Sequence, residues 1–128
     1  MTTKQLLGPN QEKWLKVLES DRYKQVQNFL SIPNKGNCCL GVACRIFLGK
    51  PTGINVVDDE LNVYHWDSED TNAPDAVVKK LAIYDREGSN SKGCFDRALT
   101  ALNDSGHSFK QIAAIIRENP GEYFSEPR

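Results

Sequence analysis

Gly36-Asn37-Cys38-Cys39-Leu40-Gly41-Val42-Ala43-Cys44 gathers three of the chain's four cysteines at the entry to a short apolar helix, and no other stretch restricts the fold as much. Asn37 stands where an N-cap residue is expected. Cys39, Leu40, Ala43, Ile46 and Phe47 then fall on one helical face, until Gly49 ends the helix and Pro51 prevents its return. Such a helix has to be packed against a core, and the rest of the chain must supply that core.

The elements around it follow from periodicity and breakers. Asn10 precedes Trp14, Leu15, Val17 and Leu18 at helical spacing, which predicts a first helix capped by Asn10 and ending near Ser20-Asp21. Val26, Leu30 and Ile32 share one parity before the turn Pro33-Asn34-Lys35-Gly36, so Tyr23 to Ile32 is expected to be a strand. Ile54 to Val57 and Leu61 to Trp66, separated by Asp58-Asp59-Glu60, predict a hairpin. Pro74 opens a short helix whose apolar face is Val77, Val78 and Leu81. Asp85 to Lys92 has the composition of a mobile loop. Phe95, Ala98, Leu99 and Leu102 predict one helix, and Ile112, Ala113, Ile115 and Ile116 a second. Gly106 ends the first, Ser108 with Gln111 forms a capping box for the second, and Pro120 closes it.

These elements give an α+β fold: about five short helices around a small antiparallel sheet made of Tyr23 to Ile32 and the Ile54 to Trp66 hairpin. A chain of 128 residues is the size of one domain, so residues 1–128 are expected to form a single compact unit with 1–9 and 121–128 as candidate flexible ends. The net charge of −1 gives no general attraction to nucleic acid or to anionic membrane. No apolar run is long enough to span a bilayer, and Met1 to Gly8 lacks the apolar core of a signal peptide, which places the expected location in the cytoplasm. Adjacent Cys38 and Cys39 hardly ever satisfy disulfide geometry with each other, so reduced thiols are expected.

The candidate chemistry is narrow. A cysteine at a helix N-terminus meets free N–H groups and the positive end of the dipole, which favour a thiolate; Cys39 or Cys38 as nucleophile would need His65 or His107 as base. The competing reading is that these thiols are small apolar residues of the core. Cys38, Cys39, Cys44 and Cys94 lack the paired-knuckle spacing of a structural zinc site, so no metal and no other cofactor is expected. Asn103 to Ile116 could be compared with a helix-turn-helix, but only Lys110 and Arg117 would meet phosphates, and an αα-hairpin on the core is the simpler account. Trp14, Trp66, Tyr64 and Tyr123 are candidates to line a stacking pocket, and Asp67, Glu69 and Asp70 to hold a cation. Among ligand-binding candidates, Trp66, Asn103 and Asp104 stand out, the latter two also fitting local hydrogen bonding at a helix end.

Taken together, Asn10 to Leu18, the Cys38-Cys39-Leu40-Gly41-Val42 motif, Ala73-Pro74-Asp75-Ala76-Val77 and Leu102-Asn103-Asp104-Ser105-Gly106-His107-Ser108-Phe109-Lys110-Gln111-Ile112-Ala113 resemble a family of small proteins encoded by phages and prophages. The chain differs from that pattern in Ala73 before the proline and in Ala43. His107 stands where the family is variable, which weakens a catalytic role for it. The resemblance implies a viral or prophage origin and work in the host cytoplasm. The expected function is a non-enzymatic accessory binding protein that counteracts a host defence or regulatory factor, its partner being a host protein or that factor's small signalling molecule. A cysteine-dependent hydrolase is the alternative, and a nucleic-acid-binding module comes third.

Overall fold

The computed structural model describes residues 7–93 and 95–128, with Phe95 described in its backbone alone. Helix α1 (Pro9–Glu19) starts one residue before the expected cap: Gly8 is the N-cap and Pro9 occupies the first helical position, where its missing N–H costs nothing. Asn10 instead sends its side-chain amide to the Lys80 carbonyl, at 3.2 Å. Gln11 does the local capping, its Oε1 accepting from the Gly8 N–H at 2.9 Å.

The segment after α1 is the main departure from expectation. Only β1 (Ser31–Ile32) is a strand; it turns through residues 33–35 and pairs antiparallel with β2 (Gly36–Asn37). Residues 24–30 are held as irregular backbone, because their hydrogen bonds go to scattered partners: Val26 N–H to Asn37 O, Asn37 N–H to Lys24 O, Cys38 N–H to Leu30 O and Leu30 N–H to Asp70 O, all 2.7 to 3.0 Å. Parity alone could not reveal that the strand beside them, β2, is two residues long and meets them at a single parallel bridge, Gln25 to Asn37.

Helix α2 (Cys39–Phe47) is the hub. Cys39 to Cys44 are all buried, so the first six residues of this helix are apolar on every side, as a segment enclosed by other elements must be, and only its last turn, from Arg45, reaches solvent. It packs on α1, on α3 (Asp75–Leu81) and on α4 (Leu99–Asp104). Trp14 of α1 closes one side, its indole N–H donating to the Cys39 carbonyl at 2.9 Å. Gly41 is required by the crossing of residues 24–30: a β-carbon there would lie 1.8 Å from the Leu30 carbonyl oxygen.

Strands β3 (Gly53–Asp58) and β4 (Leu61–His65) form the expected hairpin, with a bulge between Val56 and Asp58. It is a second two-stranded sheet rather than an extension of the first, although β1 lies against β4. Tyr64 is the cross-strand partner of Ile54, which puts both on one face.

The expected helix from Phe95 to Leu102 is broken. Residues Phe95–Arg97 form a 3₁₀ turn, and Ala98 has the extended dihedrals of an N-cap before α4. Helix α5 (Phe109–Glu118) follows with both halves of the Ser108/Gln111 capping box in place, and Gly106 takes φ +101° in the turn, so the αα-hairpin stands. Pro120 ends α5 and also begins α6 (Pro120–Tyr123).

Residues 124–128 run back over α1: Ser125 N–H reaches the Ala82 carbonyl, Gln11 Nε2 the Glu126 carbonyl and Gln11 N–H the Arg128 carbonyl. The expected mobile loop is also tied. The Asp85 carboxylate accepts from the Glu87 and Ser89 N–H groups at 3.0 Å, and Ser91 N–H donates to Glu122 O. The fold is α+β: six α-helices and two small antiparallel sheets among the described residues.

Candidate functional site

The structure bears out a cysteine at the helix entry, one residue later than the expected cap. Cys38, not Asn37, is the N-cap of α2, its Sγ accepting from the Gly41 N–H at 3.3 Å. Burial decides its chemistry. Desolvation pushes the Cys38 thiol up to about 11 despite that hydrogen bond, and drives Cys39 and Cys44 higher still. All three are protonated at neutral pH and form part of the core. Cys94, the fourth member of the zinc arrangement considered, lies outside the described residues; among those described, no group of three His, Cys, Asp or Glu side chains is placed to hold a metal.

Neither histidine's Nδ1 is turned to a thiol. His65 Nδ1 meets the Thr52 hydroxyl at 3.1 Å and the Ser68 N–H at 3.3 Å. His107 Nδ1 meets the Ser105 hydroxyl and the Leu102 carbonyl, both inside its own turn.

Asn103 is fully buried and fully used. Its Oδ1 accepts from Cys39 N–H at 3.1 Å and from Gln25 Nε2 at 2.9 Å, while its Nδ2 donates to Val26 O at 2.8 Å. It caps α2 across 64 residues of sequence. Asp104 accepts from Asn28 N–H at 2.8 Å, so the pair clamps the irregular segment onto α4. Trp14, Trp66 and Tyr123 are buried core residues, and of the four aromatics considered only Tyr64 remains half-exposed. Glu69 is ion-paired with Arg86 at 2.6 Å and Asp70 accepts from Asn55, so Asp67, Glu69 and Asp70 do not form a cation cage.

What the structure does assemble is a cationic cleft. A cleft of about 500 Å³ is lined by Arg22, Tyr23, Lys24, Ser31, Lys35, Asn37, Arg45 and Tyr64, among others. A second, of about 420 Å³, is lined by Arg45, Lys50, Pro51, Gly53, Ile54 and Tyr64. They share Arg45 and Tyr64, and no carboxylate lines either. None of these five cations is ion-paired among the described residues.

Arg45 is held at the junction. Its guanidinium carbon lies 5.2 Å from the Tyr64 ring centre and 5.4 Å from that of Trp66, within cation–π range. Nε donates to Asn37 Oδ1 at 3.4 Å and Nη2 to Ser31 Oγ at 3.3 Å; Nη1 makes no hydrogen bond among the described residues. A guanidinium fixed in this way, with donors left over, is prepared for an anion. Trp66, expected to bind ligand, acts from beneath: it is buried, donates to Gly49 O at 3.3 Å and supports Arg45.

The sequence reading missed this site because it averaged the charge. Residues 22–57 carry Arg22, Lys24, Lys35, Arg45 and Lys50 and not one acidic residue. A windowed charge count would have shown a basic segment inside a chain of net charge −1.

No helix among the described residues is long and apolar enough to cross a membrane. A family model described as a domain of unknown function (DUF8296) matches residues 9–120. No curated protein and no solved structure matches the chain.

Proposed function

The chain belongs to the DUF8296 family, and for it we propose the role of a non-enzymatic accessory binding protein whose ligand is a small anion held in the cleft around Arg45. One observation carries this reading: the cleft is lined by unpaired cations and by no carboxylate, in a chain whose overall charge is slightly negative. Concentrating positive charge in one concave place raises the local concentration of anions without attracting polyanions to the whole surface. The volume lies in the range of small-molecule sites. Buried, protonated thiols, with His65 engaged by Thr52 and His107 within its own turn, supply no activated nucleophile beside the cleft. In the phage-type setting that the sequence resembles, such a protein would act by sequestering a small anionic signal of the host.

The test is calorimetric titration with inorganic pyrophosphate. The wild type is expected to bind it, more weakly as salt rises. Arg45→Gln is expected to lower the affinity about tenfold, as is typical of losing one charge-assisted contact. Lys35→Gln, at an exposed position, gives the same direction without touching the core. No binding at low salt, binding indifferent to both substitutions, or hydrolysis of pyrophosphate by the purified protein would overturn the reading.

A further inference from the structure

We infer that the cleft takes a nucleoside oligophosphate, with the phosphates in the lobe of Arg22, Lys24 and Lys35 and the base in the lobe of Pro51, Ile54 and Tyr64. The inference rests on the anion-binding reading above and adds to it from a separate feature, the unlike chemistry of the two lobes. The first carries three cations besides Arg45, together with Ser31 and Asn37, which suits a group with several charged oxygens. The second is walled by Pro51, the Gly53 backbone, Ile54 and Tyr64, with Lys50 at its side.

Two details make the second lobe a place for a flat apolar group. Ile54 is 54% exposed on the face that it shares with its cross-strand partner Tyr64, so the hairpin leaves an aliphatic side chain in solvent at the edge of a charged site. Gly53 adds no side chain to this wall, the direction a β-carbon would take being filled by the His65 ring on the opposite face of the hairpin. A planar ring covers such a surface with little loss of conformational freedom, and base stacking on apolar and aromatic side chains is tolerant of base identity. Arg45 stands between the lobes, supported by Tyr64 and Trp66, with Nη1 uncommitted toward a phosphate oxygen. Inorganic phosphates would fill one lobe alone; a nucleoside would find no charge to pair. A nucleoside di- or triphosphate uses both.

The experiment compares ADP, pyrophosphate and adenosine in the same titration, on the wild type and on Ile54→Ser, whose position is exposed and spares the core. ADP is expected to bind about tenfold tighter than pyrophosphate, the gain of one stacked ring, and adenosine not to bind measurably. Ile54→Ser is expected to remove that gain and leave pyrophosphate binding unchanged. If ADP and pyrophosphate bind equally and Ile54→Ser changes neither, the nucleotide inference falls while the anion site stands. If an oligonucleotide binds far more tightly than ADP, the ligand is a nucleic acid and the inference also falls. If neither phosphate binds, the anion-binding reading itself is wrong.

Discussion

Cys38 occupies a position where two effects oppose each other. The helix dipole and the Gly41 N–H favour a thiolate, but the side chain is 5% exposed and its desolvation is the larger effect, so the thiol stays protonated. A shift from 9.0 to about 11 removes about 99% of the thiolate otherwise present near pH 8. Iodoacetamide at pH 8, read by peptide mass spectrometry, is therefore expected to label Cys38 about a hundredfold more slowly in the folded protein than in denaturant, with Cys39 and Cys44 slower again. Labelling of Cys38 or Cys39 at the rate of a free thiol would restore the nucleophile hypothesis. Arg45 shows the opposite case: a charge left half-exposed because rings and hydroxyls, not carboxylates, surround it.

At the scale of elements, α2 depends on a residue far along the chain. Asn103 ends the orphan status of the Cys39 N–H and fixes residues 25 and 26 in the same act, so three elements meet at one amide. Asn103→Ala would leave the buried Cys39 N–H without a partner and the part-buried Val26 carbonyl to solvent. The expected cost is about 1–3 kcal/mol, chiefly that of the one buried N–H left unpaired. Urea denaturation followed by tryptophan fluorescence measures it, since Trp14 reports directly on α2 through its bond to Cys39 O. A loss below about 0.5 kcal/mol would mean that Asn103 is no clamp. Here the sequence was partly legible. The LNDSG segment read correctly as a helix end with a capping box after it, but the partners of Asn103, 64 to 78 residues away, left no local trace.

Across the whole molecule, the two ends of the fold are joined by Arg117 of α5, which bonds Glu12 at 2.8 Å and Glu19 at 2.7 Å on α1. The Arg117 guanidinium holds both carboxyls below the usual glutamate range, against a smaller opposing effect of burial. Because the folded values are depressed, this stabilisation is fully present above the unfolded value near 4.5 and is lost as pH falls through the folded values. All three side chains are about one third exposed, so solvent screening limits the network to about 1 kcal/mol. Arg117→Met is expected to lower stability by that amount at pH 7 and by less at pH 3, below the unfolded value, measured by denaturant titration at both. An equal loss at the two pH values would assign the effect to packing instead.

The sequence by itself determined what depends on near neighbours: the helices, since apolar spacing and caps act within a few residues; the β3–β4 hairpin; and the enclosure of the cysteine helix, too apolar to face water. The tertiary structure decided what depends on partners far away. It left Tyr23 to Leu30 irregular because the two-residue β2 receives it at Gln25 alone, broke the Phe95 to Leu102 helix at Ala98, and buried the thiols that the dipole would have activated. It also drew Arg22, Lys24, Lys35, Arg45 and Lys50 to one cleft, a placement made by the crossing of residues 24–30 over α2, which Gly41 alone leaves room for.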